Sequence, residues 1–219
     1  IFPDCFVCAD WYFSLFPKFE NVSIAQHFHS LIFLLWFALL FIQPYLIRKG
    51  NIEMHRRVGK ISYILVPLLV FSIFEVAKGQ YHRELTQFPV SQCIANLIVP
   101  LPQIVLFLII YLLAIINTKN TAYHMRYIIS STLVLLGPGL GRIFISWLGM
   151  TFQHAVMSSF IVTELILVGL IIYDWLQINK SKPYFVLLFL LVTAHLAWFF
   201  LPESLLWQEL CGRFVQLFF

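Results

Sequence analysis

Charge is what this sequence has least of. Acidic and basic residues make up 11% of its 219 positions, against about 25% in soluble domains. A soluble protein of this size has no interior large enough for 61% hydrophobic and 17% aromatic residues. Lipid must therefore be the solvent for much of the surface. The net charge of +4 is too small to point to nucleic acid. Catalytic signatures are also missing. There is no His-Glu-x-x-His and no Gly-x-Ser-x-Gly, which removes the usual grounds for a zinc hydrolase or a serine esterase. Only four cysteines occur, and Cys5-Phe-Val-Cys8 is not followed by His. That excludes c-type haem attachment and favours a structural or incidental pair over a redox one. No internal repeat, low-complexity tract or soluble domain stands out. The chain opens on Ile1 rather than Met, so a segment upstream is expected, with room for a seventh span.

What is present is a series of long apolar runs. Windows of suitable length, bounded by charge or turn residues, predict six spans: 24–46, 58–78, 92–116, 126–149, 156–177 and 183–201. The first opens on Ser23-Ile24-Ala25-Gln26, a capping-box pattern. The sixth opens on Lys182-Pro183, a proline where a first turn accepts one. The expected fold is all-α: a six-helix transmembrane bundle over 24–201, flanked by interfacial segments at 1–23 and 202–219.

Six spans put both ends of the chain on one face, side A. Side B holds nine basic residues, Arg48, Lys49, Arg56, Arg57, Lys60, Lys119, Arg126, Lys180 and Lys182. Side A holds four, Lys18, Lys78, Arg83 and Arg213. The positive-inside bias makes side B cytoplasmic and both termini extracytoplasmic, with a bacterial inner membrane as the expected location. Cys5, Cys8, Cys93 and Cys211 all fall on side A, where an oxidising compartment permits disulfides. Asn21-Val22-Ser23 is a glycosylation sequon on that side.

Ionisable groups inside lipid are costly, so each is a functional candidate. Counting about 1.5 Å per residue from the helix ends, His29 lies roughly 8 Å from side A, Arg142 roughly 10 Å, Glu164 roughly 12 Å and His195 roughly 9 Å. Glu75 is shallower, and Asn96 and Gln103 add amides to the same half. Arg142 closes the stretch "LLGPGLGRIF", residues 135–144, in which Pro138 predicts a kink. Gly137, Gly139 and Gly141 there predict close approach of a neighbouring helix or a flat ligand. Three expectations follow for this polar layer. Arg142 pairs with Glu164 or Glu75 for purely structural reasons. Alternatively, His29 and His195 ligate a b-type haem or a transition metal. In the third, Arg142 and Glu164 serve a cavity for a small or anionic ligand. His82 and His154 fall in side-A loops, where histidines are usually just solvated, and Asp174 reads as an interfacial polar group near side B.

Side B carries a distinctive text. The first span leaves through Gln43-Pro44, and the second is introduced by "MHRRVGK", the fourth by "YHMRY". His55, Arg56, His124 and Arg126 thus stand at two helix starts and suggest an anion site for a phosphate or quinone headgroup. Anionic lipid is the simpler explanation. The order His29, Gln43-Pro44, Arg48, then His55-Arg56-x-x-Gly59-Lys60 resembles a bacterial polytopic membrane-protein family catalogued as domain of unknown function 2306. The likeness covers about residues 24–145 and includes His124, Arg126 and Arg142, with Lys60 where the family usually has arginine. It implies a multi-pass membrane fold and no particular activity. A comparison with b561-type cytochromes is looser, because their bis-histidine pattern is not reproduced. The expected function is a multi-pass protein with an intramembrane polar site in the outer leaflet, associated with haem or metal. The rivals are a non-catalytic subunit of a membrane complex and a small-ligand or proton-coupled carrier.

Overall fold

The computed structural model describes residues 22–177 and 182–219. The remaining segments, with Cys5, Cys8, Asn21 and Lys180, lie outside the described residues. Nine helices occur among those described: α1 (Ile24–Arg48), α2 (Ile52–Gly59), α3 (Ser62–Glu84), α4 (Val90–Asn96), α5 (Pro100–Ile116), α6 (Thr121–Leu148), α7 (Phe152–Gln177), α8 (Lys182–Phe200) and α9 (Leu205–Phe218). Six segments are long and apolar enough to cross a membrane, so the chain is an all-α polytopic membrane protein. Large apolar side chains face outward along these segments, Phe41 at 76% exposure and Phe189 at 71% among them. Only a hydrocarbon solvent makes such a surface stable.

Local chemistry sets the helix ends. The capping box forms as expected: Ser23 Oγ accepts from Gln26 N–H at 3.2 Å, and Gln26 Oε1 accepts from Ser23 N–H at 2.8 Å. The second span is not one rod. Asn51 caps a short amphipathic α2 on side B through Met54 N–H, and the chain turns at Lys60–Ile61 before α3. The third is broken too, because Pro100 and Pro102 have no N–H to offer Asn96 and Ile98, so α4 ends and α5 restarts after the turn 97–99. α6 stops where Gly149 takes φ 62° and Met150 N–H closes back on Phe144 O at 3.1 Å, a terminus glycine adopts without a Cβ penalty.

The core sits around Trp36, Leu69, Phe107, Ile110, Leu167 and Leu187, all nearly or fully buried. α1 packs on α3, α5 on α6, α6 on α7, and α8 on α5, α6 and α7. On side A, α9 lies against α4. Trp207 Nε1 donates to Ile94 O at 3.1 Å, and Lys78 Nζ and His82 Nε2 donate to Phe218 O and Phe219 O.

The proline of "LLGPGLGRIF" is accommodated within a helix that runs unbroken from Thr121 to Leu148. Pro138 leaves the carbonyl of Val134, four residues back, without its helical donor. Gln103 on α5 supplies one, Nε2 to Val134 O at 3.0 Å. Gln103→Leu removes this donor and is expected to cost about 0.6 kcal/mol and no more than about 1.7, the average and the maximum from double-mutant cycles on interhelical hydrogen bonds in a membrane protein, as a lowered unfolding midpoint in detergent. The glycines divide differently from the expectation. A Cβ on Gly141 would lie 3.6 Å from Ser159 Oγ of α7, whereas Gly137 and Gly139 have nothing within 4 Å. Only Gly141 serves helix packing.

Candidate functional site

The polar layer separates into local groups. On α7 and α8, His195 Nδ1 donates to Glu164 Oε1 at 2.6 Å. Phe160, one helical turn before Glu164, stacks on the imidazole with centroids 3.7 Å apart and planes 11° from parallel. Trp198 meets Phe160 edge-on at 5.8 Å. A groove of about 220 Å³ opens beside this pair, lined by Phe160, Glu164, His195 and the apolar Met157, Leu196 and Phe199. A carboxylate only accepts, so the Nδ1 proton belongs to His195. Its Nε2 is left to present a lone pair, or a second N–H once the ring is protonated. Sequence reasoning identified both partners but not Phe160, whose i, i+4 spacing from Glu164 puts it on the same face. Glu164 falls at the midpoint of the 26-residue α7, about 18 Å from the helix start at 1.5 Å per residue. The layer is less level than the span boundaries suggested.

His29 belongs to another group. Ser72 Oγ gives its proton to Leu69 O at 2.7 Å, so it accepts from His29 Nδ1 at 3.1 Å. No hydrogen bond, ion pair or ring contact joins His29 to His195 among the described residues. Nor does any cluster of three or more metal-ligating side chains occur among them. His82 and His154 lie within α3 and α7 rather than in loops, with His154 Nδ1 2.8 Å from Thr151 Oγ1. Asn96 leaves the proposed network altogether. Its amide donates to Glu84 Oε2 at 2.9 Å while Gln80 donates to Oε1 at 2.7 Å. Glu84 is buried and was missed in sequence, since a carboxylate at a span's end looks like a boundary. The expected pairing of Arg142 does not form: Glu164 is taken by His195, and neither Arg142 nor Glu75 has a hydrogen bond or ion pair among the described residues.

On side B, three of the four residues expected at an anion site make contacts within the protein. Arg126 is 1% exposed and grips Asp174 through Nε and Nη2, the latter at 2.8 Å to Oδ1, while Nη1 caps Ala122 O at 2.8 Å. Arg126 is therefore not available to an anion, and Asp174 is no interfacial group but a buried counter-charge. The match was readable in principle. Arg126 stands six residues into α6 and Asp174 four from the end of its antiparallel neighbour α7. His124 Nδ1 donates to Ala114 O at 2.8 Å, holding the end of α5. Gln43 fastens α1 to α2. With its amide oriented to satisfy all three contacts, it donates to His55 O at 3.2 Å and to the His55 ring, and accepts from Gly59 N–H at 3.1 Å. Of the four residues, Arg56 alone is exposed.

Cys93 and Cys211 are free thiols, both fully buried in one cluster with Tyr81, Ile94 and Leu97 that holds α9 to α4. Burial raises the Cys211 thiol to about 11, which starves it of nucleophilic thiolate at neutral pH. In the folded protein, iodoacetamide is expected to leave Cys211 unmodified over hours and to label it within minutes once denaturant is added, as read by mass spectrometry. No family model, no curated protein and no solved structure matches this chain.

Proposed function

We propose that this protein binds a membrane-dissolved amphiphile, with a ring carbonyl or hydroxyl as headgroup, in the lipid-facing groove between α7 and α8. The observation that carries the proposal is the 2.6 Å Glu164–His195 hydrogen bond in the wall of an open, largely apolar groove of about 220 Å³. Ionisable groups in a span face a cavity or a partner, and this pair faces a cavity open to lipid. The Glu164 carboxylate orients the imidazole and stabilises its protonated form, as in other carboxylate–histidine pairs. His195 Nε2 then accepts a proton from a ligand hydroxyl, or donates one to a carbonyl. Phe160 blocks one face of the ring, so the ligand approaches at the imidazole edge while its apolar tail lies along Met157, Leu196 and Phe199.

In this reading side B, with Arg48, Arg56 and Lys119, faces the cytoplasm, and the groove opens toward the extracytoplasmic leaflet. A haem or metal shared by His29 and His195 has less support, because each imidazole has its own partner on a separate pair of helices. The test is titration of the purified protein with a benzoquinone carrying a short alkyl chain, read by the share of tryptophan quenching that is lost when Trp198, beside the groove, is replaced in Trp198→Phe. Saturable quenching that Ile161→Phe, a bulkier side chain in the groove wall, abolishes supports the site. Quenching that rises linearly and ignores the substitution overturns it. A Soret band in the absorption spectrum of the same sample would bring back the haem reading.

A further inference from the structure

On side B the exposed positive charge is gathered on one hairpin. The turn from α1 to α2 is tight, with Gly50 at φ 71°. Gln43 of α1 fastens α2 against it through His55 and Gly59. With His55, Val58 and Gly59 half-buried on that side, α2 presents Glu53, Arg56, Arg57 and Lys60 outward, the spacing of a single helix face. Arg48 and Lys49 stand exposed at the turn beside them, with Lys49 Nζ 5.8 Å from the centre of the Tyr45 ring. Acid to balance these cations is scarce. Of the two carboxylates on side B, Asp174 is buried against Arg126, and Glu53 bonds Arg57 at 2.5 Å. Arg48, Lys49, Arg56 and Lys60 make no ion pair among the described residues. Large apolar side chains adjoin them: Tyr45 and Tyr63 are 59% and 53% exposed, and Ile47, Ile61 and Ile64 are exposed as well. Cations bordering exposed aromatic and aliphatic side chains are the arrangement of a membrane–water interface.

We infer that the α1–α2 hairpin is a docking surface for anionic phospholipid headgroups of the side-B leaflet, gathered by Arg48, Lys49, Arg56 and Lys60. Exposed lysines and arginines attract such headgroups over about a Debye length, by charge rather than by headgroup shape. Phosphatidylglycerol and phosphatidylserine are therefore held alike, and zwitterionic phosphatidylcholine is not. A soluble polyanion fits less well, because it leaves the adjoining tyrosines and isoleucines facing water. The surface is separate from the α7–α8 groove and rests on none of its residues.

The test uses the full chain in phosphatidylcholine nanodiscs doped with phosphatidylglycerol, with the lipids that stay on the protein counted by mass spectrometry. Wild type is expected to retain phosphatidylglycerol well above its share of the bilayer. Neutralising the hairpin with Arg48→Gln, Lys49→Gln, Arg56→Gln and Lys60→Gln together is expected to cut that enrichment at least about tenfold, since each cation is worth roughly fivefold. Exchanging the same positions as Arg48→Lys, Lys49→Arg, Arg56→Lys and Lys60→Arg keeps the charge and is expected to keep the enrichment, which guards against misfolding of the glutamine variant. Arg83→Gln with Arg213→Gln, on side A, is expected to change nothing. Extraction at about 1 M salt, which shortens the Debye length from about 10 Å to about 3 Å, is expected to strip most of the retained lipid. Equal enrichment in wild type and the glutamine variant overturns the inference. So does enrichment that survives high salt, fails with phosphatidylserine, vanishes in the charge-preserving variant, or falls as far in the side-A variant. Glu164→Gln is expected to leave retention unchanged, so this result and that at the α7–α8 groove stand or fall separately.

Discussion

Asp174→Ala is expected to destabilise the protein by about 3–5 kcal/mol, the cost of stranding a buried charge. Arg126 and Asp174 are 1% and 4% exposed, and two guanidinium nitrogens converge on the two carboxylate oxygens. Removing the carboxylate leaves a guanidinium that can neither titrate nor reach water without unpacking α6 from α7. Replacing both residues with apolar ones of similar size, Arg126→Met with Asp174→Leu, is expected to recover most of the loss, because the desolvation penalty disappears with the charges. The check is unfolding of the purified protein in one detergent, with wild type, single and double variants compared. Screening matters little for a pair so buried, so the single-variant loss should persist at high salt. A loss within about 1 kcal/mol would assign the pair to the weak surface class.

His195→Ala is expected to weaken binding of the alkyl benzoquinone by roughly 10- to 100-fold, because in the proposed site His195 Nε2 is the nitrogen that meets the headgroup. Glu164→Gln should act more mildly. Its amide still accepts from Nδ1, so the ring stays oriented, but the charge that stabilises imidazolium is gone. Its signature is a lost pH dependence of binding with only a few-fold change at the optimum. The same variants separate a binding site from a purely scaffolding pair or a subunit contact. Glu164 and His195 are half-buried at the edge of a groove, so a ligand role predicts near-normal folding yield with altered binding. A scaffolding role predicts the reverse.

The architecture was legible because hydropathy and the Ser23–Gln26 cap are local signals. The six spans appear where runs of apolar residues meet charge, with breaks at Lys60–Ile61 and at Pro100 that hydropathy averages over. Partner choice was not legible. His29, Arg142, Glu164 and His195 share one half of the bilayer in sequence, but level alone does not say which helices are neighbours. Only the packing of α7 on α8 and of α1 on α3 gives His195 to Glu164 and His29 to Ser72. Arg126 misled for a related reason. A basic residue at a span's start reads as a topology signal, and the counter-charge that buries it lies 48 residues away. The glycines of 135–144 suggested a packing face, yet Gln103 filling the carbonyl freed by Pro138 proved the more informative contact.

The most direct measurement for the central proposal is site-resolved photolabelling. An alkyl benzoquinone carrying a diazirine on its chain is irradiated with the protein in nanodiscs, and the adducts are mapped by peptide mass spectrometry. The account predicts adducts concentrated at Met157, Ile161, Leu196 and Phe199, competed away by unlabelled ligand and lost in Ile161→Trp. Adducts spread evenly over the lipid-facing helices, or untouched by competitor and by the substitution, would contradict it.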